Sequence, residues 1–510
     1  MAKHSSGAPG SGVLRRGRRA APFGTLIFCV LLSNTVYPAT FLGRLQAILV
    51  EHRSVASMHD QSAASEATFD RPLSAEKALQ LLAQASQREL SEPLQLEAAR
   101  QLVFELGDEA ALLERTGEFV REKGIGYGEF LGTFYAAQGR YADAEYWMRK
   151  TLGSVWAVSR SGKSDAIARH LKDLATLCQY QGKYAEAEGL FARALDAARE
   201  SGSEEATGIL ATALTQFADL RRSQGDFAAA EGLYSEVLHV LKGLPERFGQ
   251  LSRATAGLAK LRLAQGDYGQ AEDLCLESLR QNERLSGGKS PDYPANLTNL
   301  AAVYHAQGRL WEAVEMYQQA LAVQQDLLGE HHPDTLTTLN NLAVLYRDQN
   351  RLEEAQNLFE RVLKERERLS GSEHPDVAIV LNNLAQLRLA RSDLAGAERL
   401  YLRALELFVK FLGPDHPNVA TALNNLAELQ RRSGNDQQAE ELLKRALSLR
   451  QYALGENHPD VAGTLHNLSL LYRDQGKAQE AESLQRQAAL IDERTGQSVG
   501  LAQDVAEGWA

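Results

Sequence analysis

The sequence repeats itself every 42 residues, and this limits the fold more than any other feature. His-Pro pairs stand at His332-Pro333, His374-Pro375, His416-Pro417 and His458-Pro459, each 42 residues after the last. One step back lands on Pro291, preceded by Ser290. A second marker carries the period toward the N-terminus. Short turns of the Gln-Gly-Lys-Tyr type centre on Gly139, Gly182, Gly225, Gly266, Gly308, Asn350, Ser392, Gly434 and Gly476, with steps of 41 to 43 residues. Five residues after every centre lies an alanine, from Ala144 to Ala481, and seven before lies a small residue, from Gly132 to Ser469. Self-similarity at a fixed period identifies a stack of equal units, each unable to bury its own apolar face alone.

The unit is a helix, a tight turn and a second helix. Leu342, Leu345 and Tyr346 show helical apolar spacing, and Ala355, Leu358, Phe359 and Val362 repeat it after the turn. The small residues mark where the two helices cross. The second helix ends at a glycine (Gly287, Gly329, Gly371, Gly413, Gly455), which predicts a left-handed cap. The His-Pro pair then opens the next first helix, because proline suits a first helical position. The predicted fold is all-α: a right-handed superhelical solenoid of antiparallel helix hairpins, with nine repeats over residues 124–492.

These positions resemble tetratricopeptide repeats, in the 42-residue form of kinesin light chains and many bacterial repeat proteins. The matching strings are LGEHHPDTLTTLNNLAVLYRDQNRLEEAQNLFERVL from Leu328 and LGENHPDVAGTLHNLSLLYRDQGKAQEAESLQRQAA from Leu454. Kinesin light chains carry a long heptad coiled coil before their repeats. Residues 71–123 here show short helical patterns instead, read as a helical N-terminal cap region with room for one degenerate repeat. The resemblance therefore implies the repeat fold without the motor function.

Function is expected on the first helices. Asn299, Asn341, Asn383, Asn425 and Asn467 lie nine residues before successive turn centres, and Asn340, Asn382 and Asn424 lie one residue earlier. Asparagine is a poor mid-helix residue, so its recurrence needs a reason. The resemblance implies that the first helix lines a concave surface and that these amides grip the backbone of an extended peptide. An amide offers both donor and acceptor, as a peptide group does. The alternative is that they bond between neighbouring helices and hold the stack together. Three residues before the centres lie His305, Arg347, Arg431 and Arg473, interrupted by Leu389. A guanidinium there suits a ligand carboxylate, against the alternative of a solvated arginine. Asp348, Glu428 and Asp474 stand close enough in sequence to neutralise part of this stripe.

Other chemistry is set aside. Lys+Arg 55 against Asp+Glu 66 gives a net charge of −11, the wrong sign for a nucleic-acid binder. Ser161-Gly162-Lys163-Ser164 is not a phosphate loop, because Ala157 stands where that motif needs glycine. The His-Pro histidines are too far apart to share a metal and are read as caps. Cys178 and Cys275 fall in apolar helical patterns and are read as buried small hydrophobes; Cys29 is the third cysteine. No cofactor, no metal and no catalytic activity are expected. Asn296 and Asn467 fit the glycosylation pattern but lie in predicted helices, where neither is expected to be used.

The N-terminus reads as a separate region. Residues 1–20 are basic, 21–43 form an uncharged stretch, 44–70 a linker, and 493–510 a polar tail. An apolar helix needs about 20 residues to span a bilayer, so 21–43 is just long enough. The arginines before it predict a single pass with the N-terminus inside. A cleaved signal peptide, giving a secreted or periplasmic chain, and a mitochondrial presequence are the competing readings. The expected function is a membrane-tethered scaffold or adaptor that holds an extended peptide segment of a protein partner. A non-catalytic subunit of a secretion or organelle membrane complex and a self-assembling solenoid are the alternatives.

Overall fold

The computed structural model describes residues 74–106, 110–137, 140–158, 164–244, 247–286, 290 and 292–495. Among these residues there are 21 helices and no strand. Eighteen of them form nine hairpins, each a helix A followed by a helix B. In chain order they are Tyr127–Ala137 with Tyr141–Val158, Ser164–Tyr180 with Tyr184–Ser201, and Glu204–Ser223 with Phe227–Val240. Then come Phe248–Ala264 with Tyr268–Ser286, Asp292–Ala306 with Leu310–Leu328, and Pro333–Asp348 with Leu352–Ser370. The last three are Pro375–Ala390 with Leu394–Leu412, Pro417–Arg432 with Asp436–Leu454, and Pro459–Asp474 with Ala478–Thr495. Each helix A packs on its own helix B and on the helix B before it, so the apolar faces form one continuous stack.

The repeated residues explain the repeated geometry. The alanines at both crossing positions are fully buried from Ala175 to Ala427 and from Ala144 to Ala439. In the first repeat the crossing residue is Gly132, where an added Cβ would stand 2.8 Å from Met148 Cγ. Nine residues after the turn centre, Tyr234, Tyr317, Phe359, Tyr401 and Leu443 drive into the space between repeats and are at most 2% exposed.

The His-Pro pairs are caps. His332, His374, His416 and His458 are extended N-cap residues whose Nδ1 accepts the backbone N–H two residues on, at 3.1–3.2 Å. This satisfies one of the helix's orphan donors. The glycines that end helix B differ from the sequence expectation. Gly329, Gly371, Gly413 and Gly455 have φ of 82–91° and ψ of 159–163°, not the left-handed helical pair. This region is essentially open to glycine alone, and it turns the chain straight into the extended N-cap histidine. Gly287, Gly139 and Pro291 lie outside the described residues.

Helices Ala75–Ser86, Pro93–Leu106 and Ala110–Lys123 precede the repeats. Ala110–Lys123 packs chiefly on Ala75–Ser86, at a point where Gly117 leaves room for Ala85. Tyr127 ties this group to the first repeat: its hydroxyl donates to the Leu82 carbonyl at 3.2 Å and lies 2.5 Å from Ser86 Oγ.

The expectation of a single membrane pass is corrected. None of the described helices is long and apolar enough to cross a membrane. The 21–43 stretch on which it rested lies outside the described residues.

Candidate functional site

Helices A approach one another from the second to the fifth repeat and again from the sixth to the ninth, whereas neighbouring helices B make no comparable contact. Helices A therefore occupy the shorter, inner circumference, and their free faces line the groove. Asn299, Asn340, Asn341, Asn382, Asn383, Asn424 and Asn425 all lie on this row and are each at most 9% exposed. Asn467 is half-buried.

The ladder splits into two kinds of rung. Asn383 Nδ2 donates to Asn340 Oδ1 at 3.2 Å, Asn425 to Asn382 at 3.0 Å, and Asn467 to Asn424 at 3.0 Å. Each bond joins one helix A to the next, so these amides do hold the stack. The pattern needs asparagine at both positions. It stops at Asn341, because the preceding repeat offers Thr298, whose hydroxyl is spent on its own helix at Pro294 O. Neither Asn299 nor Asn341 makes a side-chain hydrogen bond among the described residues.

The row continues toward the N-terminus in other residue types. The equivalent positions are Gln216 in the third repeat, Asp173 in the second and Gly257 in the fourth. Gln216 is 3% exposed, and both its amide atoms are buried without a partner. Gly257 is a gap filled from behind: an added Cβ would stand 2.5 Å from Tyr234 Cε1. Tyr234 passes through that gap and donates to Asp219 Oδ1 at 2.7 Å. Asp173 is paired with Lys172 at 2.6 Å, and His170 faces Glu129 at 3.6 Å. Sequence reasoning built on asparagine missed Gln216 and Asp173. Counting nine residues back from every turn centre would have found both.

The basic stripe is largely self-neutralised. His305 Nε2 lies 3.1 Å from Asp348 Oδ2, and Arg347 lies 2.8 Å from Asp348 Oδ1. Burial works against the charged form of Asp348, but His305 and Arg347 outweigh it and hold the carboxyl below the usual range. Arg431 bonds Glu428 at 2.8 Å and, in the next repeat, Asp474 at 2.5 Å. Arg473 donates to Gln485 at 3.3 Å. Arg347 also reaches across to Gln386. A ligand carboxylate would have to displace these acids, whereas a neutral peptide backbone would not.

Cys178 and Cys275 are buried, and burial pushes both thiols up to about 12. Glu145, Cys178 and Glu186 bring their ligand atoms within 4.8 Å of one another. The carboxylates there are already held by cations. Arg149 binds Glu145 at 2.7 Å and also Glu186, and Lys183 binds Glu145 at 2.6 Å. This cluster is an ion-pair network around a protonated thiol.

The tetratricopeptide repeat family model matches residues 126–200, 250–326, 312–368, 334–408, 376–451 and 441–494. Among solved structures, the chain is similar to the Podosopora anserina putative kinesin light chain with nearly identical TPR-like repeats. Identity is 29%, over 40% of this chain and 96% of that one, with a TM-score of 0.33. It is also similar to BtubC (BKLC) from P. vanneervenii, at 25% identity over 54% and 92% of the two chains, TM-score 0.29. A Rap protein complexed with competence and sporulation factor matches at 13% identity over 65% and 99%, TM-score 0.42. No curated protein matches. With its matched segments covering most of the chain, the protein belongs to the tetratricopeptide repeat family.

Proposed function

We propose that this protein is a scaffold that binds a protein partner by holding an extended segment of it along the helix A groove. The observation that carries the reading is the set of uncommitted amides. Asn299 and Asn341 stand on the groove row, are less than a tenth exposed, and make no side-chain hydrogen bond among the described residues. A hydrogen bond from a ligand to such an amide contributes about 1 kcal/mol. An extended backbone presents alternating N–H and C=O groups and meets each amide with both. Asn340, Asn382, Asn383, Asn424, Asn425 and Asn467 set the row's spacing. Arg347, Arg431, Arg473 and His305 flank it and favour a segment carrying acidic groups only where these can replace Asp348, Glu428 or Asp474.

The two kinds of rung give the test. The double variant Asn299→Ala, Asn341→Ala should keep the parent's stability and bind partner roughly tenfold to a hundredfold more weakly, at about 1 kcal/mol per lost bond. Asn383→Ala should lower stability by about 1 kcal/mol through loss of its bond to Asn340. Affinity purification with folded variants, beside denaturant titration, separates them. Full retention of partner by the double variant would sink the groove reading.

A further inference from the structure

The superhelix completes a turn and meets itself. His458 accepts the Asp460 N–H at Nδ1, so its proton sits on Nε2, which donates to the Ser223 carbonyl at 3.0 Å across 235 residues of chain. At the same level, an added Cβ on Gly225 would stand 3.1 Å from His458 Cδ2 and 3.3 Å from Pro459 Cδ. One repeat earlier, the same construction on Gly182 falls 3.2 Å from His416 Cδ2, and the His416 ring bonds the backbone of Tyr180. One repeat earlier again, Asp376 beside His374-Pro375 is in electrostatic reach of Tyr141 and Tyr180. Leu412 packs against the N-terminal core.

The A–B turns of the second and third repeats thus receive the His-Pro helix starts of the eighth and ninth, in matching order. The same offset at both units is what an even rise per repeat produces. At three other turns, those of Gly308, Gly434 and Gly476, an added Cβ would meet nothing within 4 Å among the described residues.

We propose that this seam is a latch. His416 and His458, seated on the Gly182 and Gly225 turns, hold the array closed, and separation at the seam opens the groove along its length. That the opening admits a peptide rests on the function proposed above; the latch itself does not.

The turn itself supplies a clean variant. Asn350 occupies the same turn position with φ of 59°, so asparagine is compatible with the turn backbone. Gly182→Asn with Gly225→Asn adds side chains into the seam. Gly308→Asn with Gly434→Asn makes the same change in open space. Small-angle scattering of the full chain should show a larger radius of gyration for the seam variant and the parent value for the control. An unchanged radius for the folded seam variant overturns the latch. A second measurement leaves both glycines in place. Dyes on Ala228→Cys and Glu456→Cys, both exposed beside the seam, should give a dominant high-transfer population in single-molecule energy transfer. A single low-transfer population overturns the latch as well. Partner capture by the Asn299 and Asn341 variants reads the groove separately, so the two proposals can fail independently.

Discussion

Replacing Arg366 by alanine is expected to destabilise the array by about 3–5 kcal/mol, more than any change on the groove. Arg366 lies on helix Leu352–Ser370 and is 6% exposed. Its guanidinium bonds Asp376 of the next repeat, donates to Pro333 O at 3.1 Å and to Thr337 Oγ1 at 2.7 Å. One side chain therefore joins both helices of its own repeat to the following helix A. Alanine would leave the Asp376 carboxylate, 9% exposed, facing a hole. Two further effects distinguish this from simple cavity formation. Changing Asp376 to alanine as well should recover part of the loss, because the stranded charge is gone. Stability is also nearest-neighbour in a stack, so hydrogen exchange should rise first around residues 333–390. A loss under 1 kcal/mol by denaturant titration would show the pair to be dispensable.

Acid should loosen the array through its caps. Burial lowers His332 and His416 from the ordinary 6.5 to about 4, and it lowers His458 in the same direction. The folded pKa values lie below the unfolded one. The unfolded chain therefore takes up protons first as pH falls. These groups contribute their full stability above pH 6.5 and lose it progressively as pH drops toward 4. At about 1.4 kcal/mol per unit of pKa, His332 and His416 each cost roughly 3 kcal/mol by the bottom of that window. A direct structural cost goes with it, because a protonated Nδ1 can no longer accept the cap N–H. Urea midpoints taken from about pH 7 to about pH 4 should fall steeply. His332→Asn with His416→Asn keeps a capping side chain and removes the titration, so its profile should be flatter over the same range. An identical slope would mean that other groups set the acid response.

The hairpins were legible because their causes are local. A cap, a crossing alanine and a positive-φ turn are each fixed by one residue type at one spacing, and 42-residue repetition shows every cause several times. Asn350 and Ser392 could stand for glycine at φ of 59° and 61° without disturbing the register. The ladder was legible as a row and incomplete as a list. Its chemistry persists through Asp173 and Gln216, while its residue type does not. Arg366 was hidden by the opposite problem: it sits on an apolar face, between Val362 and Leu369, where a search for hydrophobic spacing passes over it. Its signal was the anomaly itself, an arginine in a buried register. The seam could not be read from the sequence, because superhelical pitch is the sum of small rotations between many repeats. No single residue encodes it. Only the closed geometry shows that His458 meets Ser223.

The groove is the central claim, and site-specific capture tests it most directly. A photoreactive amino acid is placed at Val344, on the inner face of helix A beside Asn341 and Arg347. In a second protein it is placed at Glu353, whose side chain is 88% exposed on helix B. After irradiation in the native setting, a groove-held partner should crosslink at 344, with the crosslinked peptide an extended segment, and not at 353. Capture at 353 alone would contradict the account and move the binding surface to the outer helices.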